Sequence, residues 1–291
     1  MNQWGSKGGV TLARTTGSAN RVKQLKTVRD VEMMRVAGKV VARALDLCRE
    51  MVRPGVKTME IDQAVEDLYL REKAISLFKG YPGRVPFPAV TCISVNEQVV
   101  HGIPGHRILA EGEVVKIDTA CSVDGWCADA AVSLPVGEIS PEKARLIREG
   151  EEILQLAMEE MVHAGCWSEV AQAMQAKAKR AGFTMVTQYV GHGIGRTMHE
   201  APQVPNYWHN SMRRTDFRLE PGVVLAVEPM VNMGGFQCET LRDHWTVVTQ
   251  DGLPSVHVEH TVALMEQGVY VLTAREETWI LGPGGKTLAG T

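Results

Sequence analysis

The sequence lacks the features that define several large classes of protein. It has no run of about 18 apolar residues, so no membrane-spanning helix is expected. Its six cysteines form no C-x-x-C pair, which argues against a cysteine zinc site and a disulfide scaffold and suits a reducing compartment. The glycine-rich turns that bind dinucleotides or phosphates are also missing. With 31 basic and 34 acidic side chains the net charge is −3, so neither general nucleic-acid binding nor specific DNA contact is expected.

The N-terminal segment differs in composition from the rest of the chain. Its first 29 residues carry six basic side chains and no acidic one, and they contain no apolar stretch. This composition predicts a basic, disordered extension over residues 1–26. An organelle transit peptide is an alternative interpretation, as is a tether to an acidic partner such as RNA.

A weak internal repeat divides the remaining sequence. Residues 51–58 (MVRPGVKT) and 161–168 (MVHAGCWS) share four similar positions at a constant offset of 110 residues, and each segment lies between two amphipathic helical patterns. Thr27 with Asp30 is typical of a helix start, and Thr58 and Ser168 are expected to cap the second helix of each pair. We therefore predict a single catalytic domain over residues 27–291, made of two related halves (27–137 and 138–275) and a C-terminal tail.

Strand patterns follow each helix pair. The dipeptide Asp124-Gly125 between two apolar runs predicts a tight hairpin. An antiparallel sheet with helices on one side, which is an α+β fold, is therefore expected. The predicted strands cover residues 90–95, 113–123, 126–136, 185–189, 223–231, 245–248 and 256–265.

Carboxylates interrupt four of these apolar strands. They are Asp118, Asp129, Glu228 and Glu259. A carboxylate in such a setting is costly unless it is paired or bound to a cation. A two-residue turn at 124–125 would make Asp118 and Asp129 diagonal neighbours on one face of the sheet, about 7–8 Å apart at the backbone. A shift of one residue would place them on opposite faces.

A histidine completes the candidate ligand set. His192 lies in the segment GHGIG, whose glycines allow close approach of the backbone. Four carboxylates balance the charge of two divalent ions, which favours a dinuclear site. Oxygen ligands with one imidazole suit Mn²⁺, Fe²⁺, Co²⁺ or Zn²⁺. Two such ions activate water and polarise a carbonyl or phosphoryl group.

The five candidate ligands follow one another in the order Asp118, Asp129, His192, Glu228 and Glu259. In this order, and with the residues around them, they resemble the metal ligands of methionine aminopeptidases. The segments SVNEQVVHGIPG, GHGIGRTMHEAPQV, LEPGVVLAVEPMV and HWTVVT are similar to the type I branch of that family, and the resemblance covers residues 27 to 275. It implies the pseudo-symmetric pita-bread fold, with helices on the outer face of an antiparallel sheet. It also implies a monomeric, cytoplasmic enzyme that removes the N-terminal methionine of nascent chains, favours small second residues and contacts the ribosome.

The resemblance assigns a role to each candidate ligand. Asp118 would hold one metal ion, whereas His192 and Glu228 would hold the other. Asp129 and Glu259 would bridge the two ions. Glu228 would also accept the proton of the bridging water.

Further residues are implied by the resemblance alone. His101, in VVHGIP, would contact the scissile amide nitrogen, and His199, in TMHE, would stabilise the developing oxyanion. The pocket for the methionine side chain would be lined by Phe78, Tyr81, Cys92, Met198 and Trp245. A monovalent-cation site would be formed by Asn96, Gln98 and Ser255. Met198, Phe78 and the long stretch over residues 83–90 depart from the family pattern, so the pocket is expected to differ in shape.

Two other functions fit part of this evidence. A proline-specific aminopeptidase or dipeptidase shares the implied fold and the five ligands, but the HGIP and HWTVVT segments argue against it. A non-catalytic binding protein of the same fold would be expected to have lost ligands, and this sequence keeps all five.

Overall fold

The structure of this chain is a computed structural model that describes residues 20–281. Of the basic extension predicted over residues 1–26, only residues 20–26 are described, and the chain beyond residue 281 also lies outside the described residues. Within residues 20–281, no helix combines the length and the apolar character needed to cross a membrane.

Four α-helices and sixteen strands make up residues 20–281. The helices are α1 (Val28–Met51), α2 (Thr58–Glu72), α3 (Pro141–Met161) and α4 (Trp167–Arg180), and a 3₁₀ turn spans Asn210–Arg214. The strands of the first part are β1 (Ile75–Ser76), β2 (Cys92–Val95), β3 (Gln98–Val100), β4 (Glu113–Val123) and β5 (Trp126–Val136). The later strands are β6 (Thr184–Met185), β7 (Gly191–Gly193), β8 (Glu200–Val204), β9 (Val224–Val227), β10 (Met230–Asn232), β11 (Cys238–Thr240), β12 (Val247–Thr249), β13 (Ser255–His257), β14 (Glu259–Met265), β15 (Gly268–Val271) and β16 (Trp279–Leu281).

Local sequence signals account for the starts of α1 and α3. The Thr27 hydroxyl accepts a hydrogen bond from the backbone N–H of Asp30 at 3.2 Å, and the Asp30 carboxylate accepts one from the N–H of Thr27 at 2.9 Å. This reciprocal capping box satisfies two N–H groups that the helix leaves unpaired, and it confirms the predicted start. Ser140 caps α3 in a similar way, and Pro141 is tolerated there because the first turn needs no N–H donor.

The predicted caps of the other two helices are wrong by one or two residues. The residue before α2 is Lys57, and the residue before α4 is Cys166. Thr58 does not cap, because its hydroxyl instead bonds the backbone of Gly105, donating to the carbonyl at 3.1 Å and accepting from the N–H at 2.9 Å. Ser168 is already the second residue of α4.

The main sheet has ten strands and is antiparallel throughout its paired strands, as predicted. Its longest hairpin joins β4 and β5 through Asp124 and Gly125, both of which adopt positive φ angles, 51° and 73°. The register pairs Asp118 with Ala131 and Ala120 with Asp129, which confirms the predicted pairing. Asp118 and Asp129 therefore lie on the same face.

The helices cover one side of the sheet. The α1 helix packs on β4 and β5, and α3 packs on α4, β10, β13 and β14. Each helix pair encloses its own apolar core. Along β4, Ile117 and Cys121 point into the core under α1, so Asp118 and Ala120 alternate to the opposite face. That opposite face carries the candidate site.

Two predicted strands are interrupted next to carboxylates. The pattern over residues 223–231 divides into β9 and β10 at Glu228 and Pro229, and the pattern over residues 256–265 divides at Val258, just before Glu259. Proline cannot donate to a strand ladder, which explains the first break. The predicted strand over residues 185–189 is shorter than expected, since only Thr184–Met185 pairs.

Candidate metal centre and substrate cleft

One cleft of about 540 Å³ opens on the face of the sheet away from the helices. All five predicted metal ligands line it, and so do the two predicted catalytic histidines. These residues are Asp118, Asp129, His192, Glu228, Glu259, His101 and His199. The fold therefore brings together side chains that lie up to 158 residues apart in the sequence.

Strand pairing places the carboxylates side by side. Ala131 on β5 pairs with Asp118 on β4 at one edge and with Glu259 on β14 at the other. The two carboxylates thus flank a single alanine, and Asp129 follows two positions away on the same face of β5. The small side chain of Ala131 leaves room between them, because alanine ends at Cβ.

The imidazole of His192 faces this carboxylate cluster. Its Nε2 lies 3.9 Å from Asp129 Oδ2 and 3.7 Å from Glu228 Oε1. Ligand atoms of Asp129, His192 and Glu259 all lie within 4.8 Å of one another. The Nδ1 of His192 is 2.9 Å from the carbonyl oxygen of Gly193, which can only accept, so Nδ1 carries the proton. The lone pair of Nε2 is therefore directed at the cluster, as a metal ligand requires.

The four carboxylates are held in a setting that disfavours their charge. Burial raises the pKa of Asp129 to about 7 and raises the pKa values of Asp118, Glu228 and Glu259 well above their ordinary range. Mutual repulsion with Asp129 adds to the rise for the other three carboxyl groups. Like charges in a buried cluster cannot all ionise without a counter-charge.

Unpaired oxygen atoms point to the nature of that counter-charge. The buried atoms Oδ1 of Asp118, Oδ1 of Asp129 and Oε1 of Glu259 have no hydrogen-bond partner within the described residues. Buried polar atoms nearly always have a hydrogen-bond partner, so three buried oxygen atoms without one in the same cluster need an explanation. Oxygen ligands with an imidazole nitrogen fit a divalent cation, which would pair the oxygens and offset their charge.

A second imidazole, which the sequence analysis missed, also faces the cluster. His257 Nε2 lies 3.6 Å from Glu228 Oε2 and 4.0 Å from Glu259 Oε2. Burial lowers the pKa of His257 to about 3, with further contributions from His101 and Lys116. The only sequence signal for His257 is its position two residues before Glu259 in an apolar segment.

The two predicted catalytic histidines both line the cleft. His199 stacks edge-on against His192 with ring centres 4.3 Å apart, and its Nδ1 is 3.1 Å from the hydroxyl of Tyr81. His101 contacts the rings of Tyr189 and Trp245 edge-on, at 5.5 and 6.4 Å. Burial lowers the pKa values of His199 to about 3 and of His101 to about 4, so both rings are neutral near pH 7.

An apolar cluster adjoins the carboxylates, and three of its members, Phe78, Cys92 and Trp245, line the cleft. All five residues predicted to line the methionine pocket belong to this cluster or pack against it, together with Phe87, which the sequence did not single out, but Tyr81 and Met198 do not line the cleft. The predicted members are Phe78, Tyr81, Cys92, Met198 and Trp245. Cys92 pairs directly with Asp118 across β2 and β4, so the apolar cluster meets the carboxylates at this pair. The indole N–H of Trp245 donates to the carbonyl oxygen of Val85 at 2.8 Å, which connects the 83–90 segment to this cluster.

The three residues of the predicted monovalent-cation site meet at the turn between β2 and β3. The side-chain oxygens of Asn96 and Gln98 accept hydrogen bonds from backbone N–H groups, and the Ser255 hydroxyl donates to Asn232. The carbonyl oxygen of Asn96 accepts from the N–H of Ser255 at 3.1 Å and from Nζ of Lys116 at 2.7 Å. A monovalent cation at this carbonyl would have to displace Lys116.

The described fold and cleft are those of a metallopeptidase. A model of metallopeptidase family M24 matches residues 32–266, and this chain belongs to that family. The fold is the α+β pita-bread fold predicted from the sequence.

The chain is similar to curated proteins over nearly its whole described length. It is 41% identical over 248 residues to methionine aminopeptidase 1 of Bacillus subtilis, an alignment that covers 85% of this chain and 98% of the relative. It is 39% identical over 259 residues to methionine aminopeptidase of Escherichia coli K12, with 88% and 96% covered. These similarities support the sequence-based resemblance.

Solved structures give the same result. Methionine aminopeptidase from Thermotoga maritima superposes with a TM-score of 0.81 at 36% identity, covering 86% of this chain and 99% of that chain. Xaa-Pro dipeptidase from Bacillus anthracis superposes with a TM-score of 0.69 at 21% identity, covering 89% of this chain and 64% of that chain. The second likeness concerns the fold alone.

Proposed function

We propose that this chain removes the N-terminal methionine from nascent proteins and peptides, with small second residues favoured. The observation that carries the proposal is the direct contact between an apolar cluster and a carboxylate cluster, where Cys92 pairs with Asp118. If the side chain of an N-terminal methionine lay against the apolar cluster, the backbone carbonyl carbon of that methionine would lie at the carboxylate cluster. The identities of about 40% to methionine aminopeptidases over most of the chain support the same substrate.

The apolar pocket suits a thioether side chain. Phe87 and Trp245 meet edge to face with ring centres 5.3 Å apart, and Phe78 meets Phe87 at 6.4 Å. Aromatic rings and sulfur atoms make favourable contacts with methionine, which is long, unbranched and polarisable. Met198 and Cys92 complete the walls and are both buried. The pocket would therefore select a long apolar first residue over a charged one.

The cluster would hold two divalent ions. Asp118 would bind one ion, His192 and Glu228 the other, and Asp129 and Glu259 would bridge them. Mn²⁺, Fe²⁺, Co²⁺ and Zn²⁺ all suit these donors. When bound, such ions polarise the scissile carbonyl and lower the pKa of a water molecule.

The protein's own groups would handle protons and orientation. Glu228, which lines the cleft beside His192, would accept the proton of the attacking water. In the tautomer where Nδ1 of His199 accepts a hydrogen bond from the Tyr81 hydroxyl, the single N–H of this neutral imidazole is on Nε2, which would donate to the developing oxyanion. His101, fixed between Tyr189 and Trp245, would contact the scissile amide nitrogen.

Peptide turnover tests this proposal against its nearest rival. The purified full chain, loaded with Mn²⁺ or Co²⁺, is expected to release methionine from Met-Ala-Ser and to leave Xaa-Pro peptides and N-acetylated Met-Ala-Ser intact. An Asp118→Ala variant is expected to lose this activity. Faster cleavage of Xaa-Pro peptides would favour a proline-specific peptidase, and full activity of the variant would contradict the proposed metal centre.

A further inference from the structure

His257 occupies a position in the cleft that resembles the position of His192. The carboxylate of Glu228 lies between the two imidazoles. Its Oε1 is 3.7 Å from Nε2 of His192, and its Oε2 is 3.6 Å from Nε2 of His257. Each imidazole also faces a second carboxylate, Asp129 at 3.9 Å for His192 and Glu259 at 4.0 Å for His257. The two histidines thus present Nε2 to the cluster at matching distances.

These distances do not correspond to hydrogen bonds. An N–H···O bond spans about 2.7–3.2 Å between heavy atoms, so neither carboxylate bonds His257 directly. The Nε2 of His257 is buried and has no hydrogen-bond partner within residues 20–281. Two ligand atoms that each lie about 2.1 Å from one ion are roughly 3–3.5 Å apart at ordinary coordination angles. The separation of His257 from Glu228, 3.6 Å, is close to that spacing, and its separation from Glu259, 4.0 Å, is somewhat longer.

The backbone holds His257 firmly in this position. The Ser133 hydroxyl donates to the carbonyl oxygen of His257 at 2.8 Å and accepts from its N–H at 3.0 Å. On the other side, His257 pairs with Met230, two residues beyond Glu228. Candidate ligands thus lie close on both sides, because Asp129 is on the strand of Ser133 and Glu228 lies just before the strand of Met230. A side chain so constrained, with an unpaired nitrogen directed at carboxylates, is preorganised for a ligand.

We propose that His257 is a further metal ligand, which supplies a second imidazole nitrogen to a divalent ion held by Glu228 and Glu259. The inference rests on the proposed metal centre and extends its ligand set to two Asp, two Glu and two His. A second imidazole shifts the donor set toward nitrogen, which strengthens binding of ions such as Co²⁺ and Zn²⁺ relative to Mn²⁺.

Cobalt binding tests the assignment without relying on activity. The metal-free full chain, its His257→Gln variant and a His260→Gln control are titrated with Co²⁺, and binding is followed by calorimetry and by visible absorption. His260 is a matched control because it neighbours Glu259, but its Nδ1 bonds the Thr273 hydroxyl at 2.8 Å. We expect at least about 10-fold weaker binding of one Co²⁺ in His257→Gln, with an altered spectrum. The control is expected to match the wild type.

The outcomes separate the inference from the function on which it rests. If the wild-type chain binds no Co²⁺, the proposed metal centre fails and His257 fails with it. If the wild type binds Co²⁺ and His257→Gln matches it in affinity and spectrum, only the assignment of His257 is overturned. Weaker binding with an unchanged spectrum also overturns it, because a ligand change alters the spectrum.

A second measurement uses only the wild-type chain, so it still tests the inference if the His257→Gln variant does not fold. Electron–nuclear double resonance of the Mn²⁺-loaded chain, grown with ¹⁵N-histidine, is expected to show two nitrogen couplings. One coupling would leave His192 as the sole imidazole ligand and would overturn the inference.

Discussion

Removal of divalent ions is expected to make stability depend strongly on pH. In the metal-free protein, burial raises the pKa of Asp129 to about 7, from 3.8 for an ordinary aspartate. Between pH 3.8 and about pH 7 the folded state therefore keeps a proton on Asp129 that the unfolded state releases, so low pH favours folding. The contribution is intact below pH 3.8, falls as the pH rises, and is lost near pH 7.

The size of this effect follows from the difference between the two pKa values. About three pKa units at 1.36 kcal/mol each give a loss of roughly 4 kcal/mol from Asp129 alone. Asp118, Glu228 and Glu259 act in the same direction, because burial raises their pKa values too. Bound divalent ions replace the protons, so the loaded protein is expected to lose this dependence.

Urea unfolding of the metal-free and metal-loaded protein at several pH values measures the effect. The free energy of unfolding of the metal-free protein should fall by several kcal/mol between about pH 5 and about pH 7.5, whereas the loaded protein should show little change over that interval. A metal-free Asp129→Asn variant serves as the control, and its pH dependence should be shallower. A metal-free wild type whose stability is constant or rises over this interval would refute the reasoning.

Two further predictions concern residues around the cleft. Lys26 bonds the Glu200 carboxylate at 2.6 Å, and both side chains are 9% exposed. Lys26→Met should therefore lower the free energy of unfolding, measured in urea, by about 3 kcal/mol, and the double variant with Glu200→Gln should recover most of this loss. A double variant that loses as much as the two single variants together would contradict the prediction. Trp245→Phe removes the bond to Val85. It should lower kcat/KM for Met-Ala-Ser roughly 10-fold at unchanged Co²⁺ affinity, and unchanged kcat/KM would argue against the pocket.

Local signals allowed the part of the site on β4 and β5 to be predicted. The Asp124-Gly125 turn fixes the register of the hairpin, and the register determines that Asp118 and Asp129 share a face. Both steps depend only on residues within one hairpin. The capping box at Thr27 is local in the same sense.

Contacts between distant residues could not be predicted in this way. The sequence pattern predicts that Thr58 caps a helix, but both hydrogen bonds of its hydroxyl are made with the backbone of Gly105, 47 residues away. In the sequence, His257 is one polar residue in an apolar strand. Its position beside the carboxylates depends on the contact of its backbone with Ser133, 124 residues away. The bond between Lys26 and Glu200 spans 174 residues. Such contacts follow from the packing of whole elements rather than from any local pattern.

The resemblance to a known family identified positions that physical reasoning left open. Phe78 and Met198 look like ordinary core residues in the sequence, and both are buried in the cluster beside the cleft. Phe87 belongs to the same cluster but lies in the 83–90 stretch that departs from the family pattern, so neither approach singled it out.

The most direct test of the account is the location of bound metal. Crystals of the full chain grown with Mn²⁺, with diffraction data recorded on both sides of the manganese absorption edge, would locate the ions. We expect two anomalous peaks in the cleft, each in contact with oxygen atoms of Asp129 and Glu259. Peaks confined to the protein surface, or an empty cleft under saturating Mn²⁺, would contradict the central claim that these buried side chains form a dinuclear metal centre.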